Sequence, residues 1–172
     1  TGRVAPADGQ AADWRAWLEG DPWAGQEAAL IRDMDSPDRA AQRRAMVALG
    51  HVGGDAARAA LRAYVDRERR NNPYPPFENH NRTDSFTFDD ASPLNPRTLQ
   101  SAVRALGHLH DTQSLPLFRE ILTDHIHPRE GNLFLAEAVV EALGWIGGPE
   151  AEALLVDTFS RLGRYEDYVG WY

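Results

Sequence analysis

The chain has 172 residues, of which 42% are hydrophobic and 26% charged, and its formal net charge is −8. No apolar run approaches the roughly 20 residues that a membrane-spanning helix needs. The acidic balance disfavours nucleic-acid binding, because a domain that binds phosphates is expected to present a basic face. Cysteine is absent, which excludes disulfides, thiolate metal sites and cysteine nucleophiles.

The first predicted elements are two helices within residues 10–34. Apolar residues share one face of the first helix at helical spacing: Trp14, Trp17 and Leu18. Asp21 and Pro22 are typical of an N-cap and a first helical position, so they predict the start of the second helix. We interpret the pair as a degenerate capping repeat in which the tryptophans, Trp23 included, form a core rather than a ligand site.

Three similar segments follow, with the sequences ALGHVGGDAARAAL, ALGHLHDTQSLPLF and ALGWIGGPEAEALL. Their ALG glycines are Gly50, Gly107 and Gly144. Gly144 follows Gly107 by 37 residues, and Gly107 follows Gly50 by 57 residues, which is 37 plus an insertion of 20. A period of about 30–45 residues with two helices per unit is typical of a helical solenoid.

The first helix of each unit is predicted to run through the ALG glycine. Apolar residues at helical spacing surround it in every copy: Ala45, Val47, Ala48 and Leu49; Ala102, Val103, Ala105 and Leu106; Ala138, Val139, Ala142 and Leu143. A helical glycine costs about 1 kcal/mol relative to alanine. We therefore expect each ALG glycine to mark the close approach of a neighbouring helix.

A turn and a second helix are predicted after each ALG glycine. A left-handed residue is expected to end the first helix, at Gly53, His110 and Gly147. The next residue is the expected N-cap of the second helix, namely Gly54, Asp111 and Gly148. Apolar residues of the second helices are predicted to face the core: Leu61, Tyr64 and Val65; Leu115, Leu117, Phe118, Ile121 and Leu122; Leu154, Leu155, Val156 and Phe159.

The ALG segments resemble the HEAT-like repeats found in phycobilisome lyases and in many bacterial proteins, with the pattern A-L-G-x-I-G-D-P-x-A-x-P-x-L. Pro116 matches the second-helix proline of that pattern, and Pro149 matches the turn proline. The resemblance covers residues 38–70 and 95–162. It implies an all-α, right-handed α-solenoid with hairpins at 38–70, 97–123 and 131–162. It also implies a non-catalytic protein–protein interaction or scaffold module without a cofactor, since such repeats are mostly used for contact with a protein partner.

Residues 71–96 interrupt the repeat with a long inserted loop rich in proline, asparagine and acidic residues. Four aromatic residues of this loop are predicted to pin it to the solenoid or to contact a partner: Tyr74, Phe77, Phe86 and Phe88. The loop follows a second helix, so it is expected to emerge at the same edge as the turn near residue 125. His80 of the loop can therefore meet a group on that turn: Asp124, His125 and His127. A metal or ligand site at this edge, with lyase-like chemistry as one form, is the alternative function.

The residue after each ALG glycine predicts a second surface feature. His51, His108 and Trp145 occupy this position in the three copies. In a stacked array they are expected to form a row with neighbours about 10 Å apart. Such a row can bind a partner, and it can equally fill the turn within each repeat.

Catalysis is disfavoured by the residues present. Among HEAT-like enzymes, deoxyhypusine hydroxylase holds its irons with His-Glu pairs, and this chain contains no His-Glu dipeptide. No glycine-rich phosphate loop or nucleophile elbow is found. The basic run RAYVDRERR alternates with acids and is interpreted as a helix end with ion pairs.

Thr1 in place of methionine is consistent with processing or with a fragment. The aromatic tail at 163–172 is expected either to cap the last repeat or to continue into a larger protein, and we favour the second. The composition fits the bacterial cytoplasm or export after processing, and it leaves the compartment and the oligomeric state open.

Overall fold

The computed structural model describes residues 25–71, 97–125 and 133–166, together with the helical positions Ala11 and Arg15. These ranges contain seven α-helices and one 3₁₀ turn, and they contain no strand. The helices are α1 (Gln26–Asp33), α2 (Arg39–Val52), α3 (Asp55–Asn71), α4 (Arg97–His108), α5 (Leu115–His125), α6 (Leu133–Ile146) and α7 (Gly148–Glu166), with the 3₁₀ turn at Thr112–Ser114.

The helices stack as hairpins in an all-α solenoid, as the repeat predicted. The first helices of the three hairpins are α2, α4 and α6, and each packs along the next one. The second helix of one hairpin also packs against the first helix of the following hairpin. As a result α4 contacts both α2 and α3, and α6 contacts both α4 and α5.

One apolar core runs through the whole stack. Its largest fully buried side chains come from every hairpin: Met46, Leu49, Leu61, Val65, Val103, Leu106, Phe118, Ile121, Leu122, Leu135, Val139 and Leu143. Most of the residues that helical spacing assigned to the interior are in this core. The periodicity therefore identified the buried faces of the helices correctly in the first two hairpins, apart from Val47.

Two of the ALG glycines lie where neighbouring helices approach closely, as predicted. A Cβ atom on Gly50 would lie 3.0 Å from the Cα of Ala105 in α4. A Cβ atom on Gly107 would lie only 2.6 Å from the Cα of Ala142 in α6. Gly144 differs, because a Cβ atom there would meet nothing within 4 Å.

The turns after the first helices are only partly as predicted. Gly147 and His110 have positive φ angles of 66° and 49°, in the left-handed region. Gly53 was predicted to share this conformation, and that prediction is wrong, because its backbone is extended with φ −79° and ψ 149°. Glycine is needed at this position for space instead, since a Cβ atom would lie 2.4 Å from the Cβ of Ala57.

The helix α1 begins at Gln26, directly after Gly25, which has a left-handed φ of 76°. Asp21 and Pro22, the predicted start of the second helix, lie outside the described residues. The predicted tryptophan core around Trp14, Trp17 and Trp23 lies outside the described residues.

Three residues predicted to face the core are exposed. These are Val47 on α2 and Val156 and Phe159 on α7. The two α7 residues belong to the last hairpin, where no further helix of the described chain covers the surface. Phe159 lies at the repeat position of the buried Val65 and Leu122, so its exposure results from its place at the end of the stack. Val156 lies at the repeat position of the exposed Arg119, so its exposure results from its position on the helix.

Candidate functional site

Three aromatic rings form a continuous row on the first helices of the hairpins. We call His51, His108 and Trp145 the ring ridge. The ring centroids of His51 and His108 are 5.2 Å apart, with the planes tilted by 40°. Those of His108 and Trp145 are 4.0 Å apart at 20°, which is a stacked arrangement. The prediction placed neighbours about 10 Å apart, and the rings are closer because the side chains lean towards each other across the gaps between helices.

The ring ridge depends on the close packing of the helices that carry it. A Cβ atom on Gly107 would lie 2.8 Å from Cε3 of Trp145, so only glycine leaves room for the indole at this place. The indole then lies beside the neighbouring imidazole of His108. All three rings remain exposed to solvent, and Trp145 retains 38% of its surface accessible. The row is therefore both ordered by packing and open to a partner.

The surface beside the ring ridge combines an apolar residue with an ion pair. Val47 precedes His51 by four residues and so shares its helix face, where it is exposed. At the equivalent position of the next hairpin, Arg104 forms an ion pair with Glu141. Residues on this outer face can therefore offer apolar, aromatic and charged contacts within a small area.

The electrostatics of the ring ridge favour a neutral central imidazole. Partial burial lowers the pKa of His108 from its ordinary value of 6.5, and the nearby His51 and His110 lower it further. A neutral imidazole stacks on indole without needing a counter-ion. The centre of the row is consequently an uncharged aromatic surface at neutral pH.

Two arginines of α3 form hydrogen bonds to the turn that follows His108. Both Nε and Nη2 of Arg58 donate to the carbonyl oxygen of Leu109, at 3.3 and 3.1 Å. Nη1 of Arg62 donates to both carboxylate oxygens of Asp111, at 2.7 and 2.6 Å. Asp111 is 3% exposed and also accepts a hydrogen bond from the hydroxyl of Ser114. The backbone next to His108 is thus held by the preceding hairpin.

The basic run at the end of α3 is a set of ion pairs, as predicted. Arg69 contacts Glu120 and Asp124 of α5 and Asp66 of its own helix. Arg70 donates two hydrogen bonds to Asp66 and thereby lowers the pKa of that carboxyl group. Arg69 therefore forms ion pairs both within α3 and with α5, and Arg70 forms its ion pair within α3.

The comparison with known proteins supports the architecture. Residues 91–161 match the HEAT repeats family. The chain carries HEAT-like repeats. The match covers the second and third hairpins, which supply two of the three rings and all of the stacked pair. No curated protein and no solved structure matches the chain. None of the described helices combines the length and the apolar character that crossing a bilayer requires.

The residues proposed for a metal site in the HEAT-repeat chain are only partly described. His80 and His127 lie outside the described residues, as do the loop aromatics Tyr74, Phe77, Phe86 and Phe88. His125 is the last residue of α5. Asp124 is exposed and 3.4 Å from Nη1 of Arg69. Within residues 25–71, 97–125 and 133–166, no cluster of three potential metal ligands is present.

Sequence reasoning missed the polar contacts between the helical hairpins. The carboxylate of Glu27 in α1 accepts hydrogen bonds from the backbone N–H groups of Gly54 and Ala57, at 2.7 and 2.9 Å. It therefore caps α3 from α1, two helices earlier in the chain. Asp111 was predicted as an N-cap, but its side chain makes no cap hydrogen bond and instead pairs with Arg62. Both contacts join residues about 30 to 50 positions apart, so no local pattern reveals them.

Proposed function

We propose that the chain is a non-catalytic interaction or scaffold module of a larger protein or assembly, and that its partner binds the ring ridge. HEAT repeats generally mediate protein–protein interaction or scaffolding, which supports this class of function. The observation that carries the proposal is the row of three exposed rings in contact, contributed by three successive hairpins. Aromatic residues dominate the binding energy of many protein interfaces.

The rigidity of the row adds to its suitability. The rings are placed by the contacts at Gly107 and by the arginine hydrogen bonds next to Leu109 and Asp111. A surface that is ordered before binding loses less conformational entropy when the partner arrives. Side chains that stack on neutral rings, such as arginine or another aromatic residue, are the expected contacts on the partner.

Site-directed photo-crosslinking tests the proposal. A photoreactive phenylalanine analogue replaces Val47, which lies one helical turn from His51 and leaves the rings intact. The matched control places the same analogue at Arg119, an exposed position on α5. We expect a discrete crosslinked partner from source-cell lysate at position 47 and none at position 119.

Removing the rings provides the second arm of the experiment. The paired substitution His108→Ala and Trp145→Ala is expected to abolish the crosslink at position 47 while circular dichroism shows an unchanged helix content. Identical crosslinks at positions 47 and 119, or a crosslink that survives loss of both rings, would contradict the proposal.

A further inference from the structure

The last hairpin exposes positions that the first two hairpins bury. Four rows of equivalent residues show the difference: Met46, Val103 and Val140; Gly50, Gly107 and Gly144; Leu61, Phe118 and Leu155; Val65, Leu122 and Phe159. The first two members of every row are buried, and the third is half-buried or exposed. The contrast is largest in the last row, where Leu122 is 1% and Phe159 is 58% exposed.

Each buried set lines a groove that holds the first helix of the next hairpin. α4 lies against α2 and α3, and α6 lies against α4 and α5. In both cases an alanine of the incoming helix faces the ALG glycine, Ala105 against Gly50 and Ala142 against Gly107. The groove between α6 and α7, which we call the end groove, consists of Val140, Gly144, Leu155 and Phe159. It has the same construction, and no helix of the described chain fills it.

The two filled grooves indicate what kind of helix fits the third. The incoming helices share a short pattern, an apolar residue followed three positions later by Ala-Leu: Ala102, Ala105 and Leu106 in α4; Val139, Ala142 and Leu143 in α6. These residues are buried in both helices. The alanine is required because a larger side chain would prevent the backbone from approaching the glycine.

The charges at the end groove differ from those of the filled grooves and favour a basic helix. In the groove that α6 fills, the neutral Gln100 of α4 contacts the start of α6, where its Nε2 donates to the carbonyl oxygen of Phe134. The equivalent of Gln100 on α6 is the exposed Glu137. The buried Leu115 of α5 is replaced on α7 by the exposed Glu152. An acidic rim around an apolar groove favours an incoming helix that carries arginine or lysine near its start.

We propose that the end groove binds an amphipathic basic helix of a partner protein, seated as α4 and α6 are seated in the grooves before it. The groove continues an interface that the molecule already uses twice, and its charges complement such a helix. The four lining residues of this docking surface are distinct from the ring ridge, although Trp145 of the row adjoins Gly144; His51 and His108 lie on the two earlier hairpins.

The chain supplies a probe for this proposal, because α4 has the required chemistry. In the register of the filled grooves, Arg97 of an α4 peptide takes the place of Phe134, next to Glu137. Arg104 of the peptide takes the place of Glu141 and therefore faces Glu141 itself, which then lies between this arginine and the chain's own Arg104. The probe is a helix-stabilised, fluorescein-labelled peptide with the sequence RTLQSAVRALGH. In this register its Ala105 lies opposite Gly144, its Arg97 lies next to Glu137 and its Arg104 lies opposite Glu141.

Fluorescence anisotropy of this peptide with the full chain is the test. We expect saturable binding with a Kd below about 100 μM. Gly144→Leu should weaken it at least tenfold by filling the end groove, and it should leave the fold intact because nothing lies within 4 Å of the added Cβ. Glu137→Arg should weaken binding and reduce its dependence on salt. The control peptide with Ala105→Leu should bind at least tenfold more weakly than the parent.

Several outcomes would overturn the proposal. These are absence of saturable binding, equal binding by Gly144→Leu, and equal binding by the control peptide. Self-association that Gly144→Leu abolishes would identify a second copy as the occupant. A tenfold gain in peptide affinity on removing residues 167–172 would identify the chain's own segment as the occupant. Because His51→Ala and His108→Ala should not change peptide binding, failure here is distinguishable from failure of the ring ridge as a docking site.

Discussion

Alanine substitution of the three ALG glycines separates helix propensity from helix packing. Each substitution replaces a helical glycine by alanine, and the higher helix propensity of alanine by itself stabilises the protein by about 1 kcal/mol. At Gly144 the added methyl group meets nothing within 4 Å. Gly144→Ala should therefore retain the whole gain and raise the free energy of unfolding by about 1 kcal/mol.

The same substitution at Gly107 should have the opposite sign. The added Cβ would lie 2.6 Å from the Cα and 2.8 Å from the Cβ of Ala142. Because the nearest atom is backbone, α4 and α6 must move apart, and overpacking of this kind costs about 1–3 kcal/mol. After the propensity gain is subtracted, Gly107→Ala should lower the free energy of unfolding by up to about 2 kcal/mol. Gly50→Ala, with its Cβ 3.0 Å from the Cα of Ala105, should lie between the two.

Urea unfolding followed by far-ultraviolet circular dichroism measures these differences. Thermal melts should agree, since about 1 kcal/mol corresponds to a change in Tm of about 2–4 °C for a chain of this size. Gly144→Ala should melt above the parent chain and Gly107→Ala below it. Equal shifts for the three variants would refute the assignment of Gly107 to a tight helix contact and of Gly144 to an open surface.

Two further predictions concern the polar contacts around the ring ridge. Arg62→Met leaves the buried carboxylate of Asp111 without its ion-pair partner. Urea unfolding should show a free energy of unfolding lower by about 2–3 kcal/mol. The control is Arg44→Met, which breaks an exposed pair, and an equal or larger loss in the control would contradict this prediction. The pKa of His108 is lowered in the folded chain, so the unfolded state binds the proton at higher pH. The stability contributed by neutral His108 should be complete above pH 6.5 and should decline as the pH falls towards the folded pKa. Urea unfolding across that pH range measures the decline, which should be smaller in His108→Asn.

Much of the fold could be predicted from the sequence because the repeat carries it. The ALG glycines recur with the same apolar spacing, and that spacing identified most of the buried helix faces in the first two hairpins. The equivalence of His51, His108 and Trp145 followed from register, since side chains at the same repeat position must lie in a row once the hairpins stack. The stacked contact of His108 with Trp145 depends on how far the side chains lean, which register does not specify.

The sequence therefore determined the helical hairpins, their order and the shared position of the three rings, because these properties depend on residues close together in the chain. Tertiary structure alone decided which contacts join the hairpins, such as Glu27 on the start of α3 and Arg62 on Asp111. It also decided that Phe159 is exposed although its counterparts Val65 and Leu122 are buried. Burial at that position depends on whether another helix lies against it, and a repeat pattern is the same whether or not its neighbour is present.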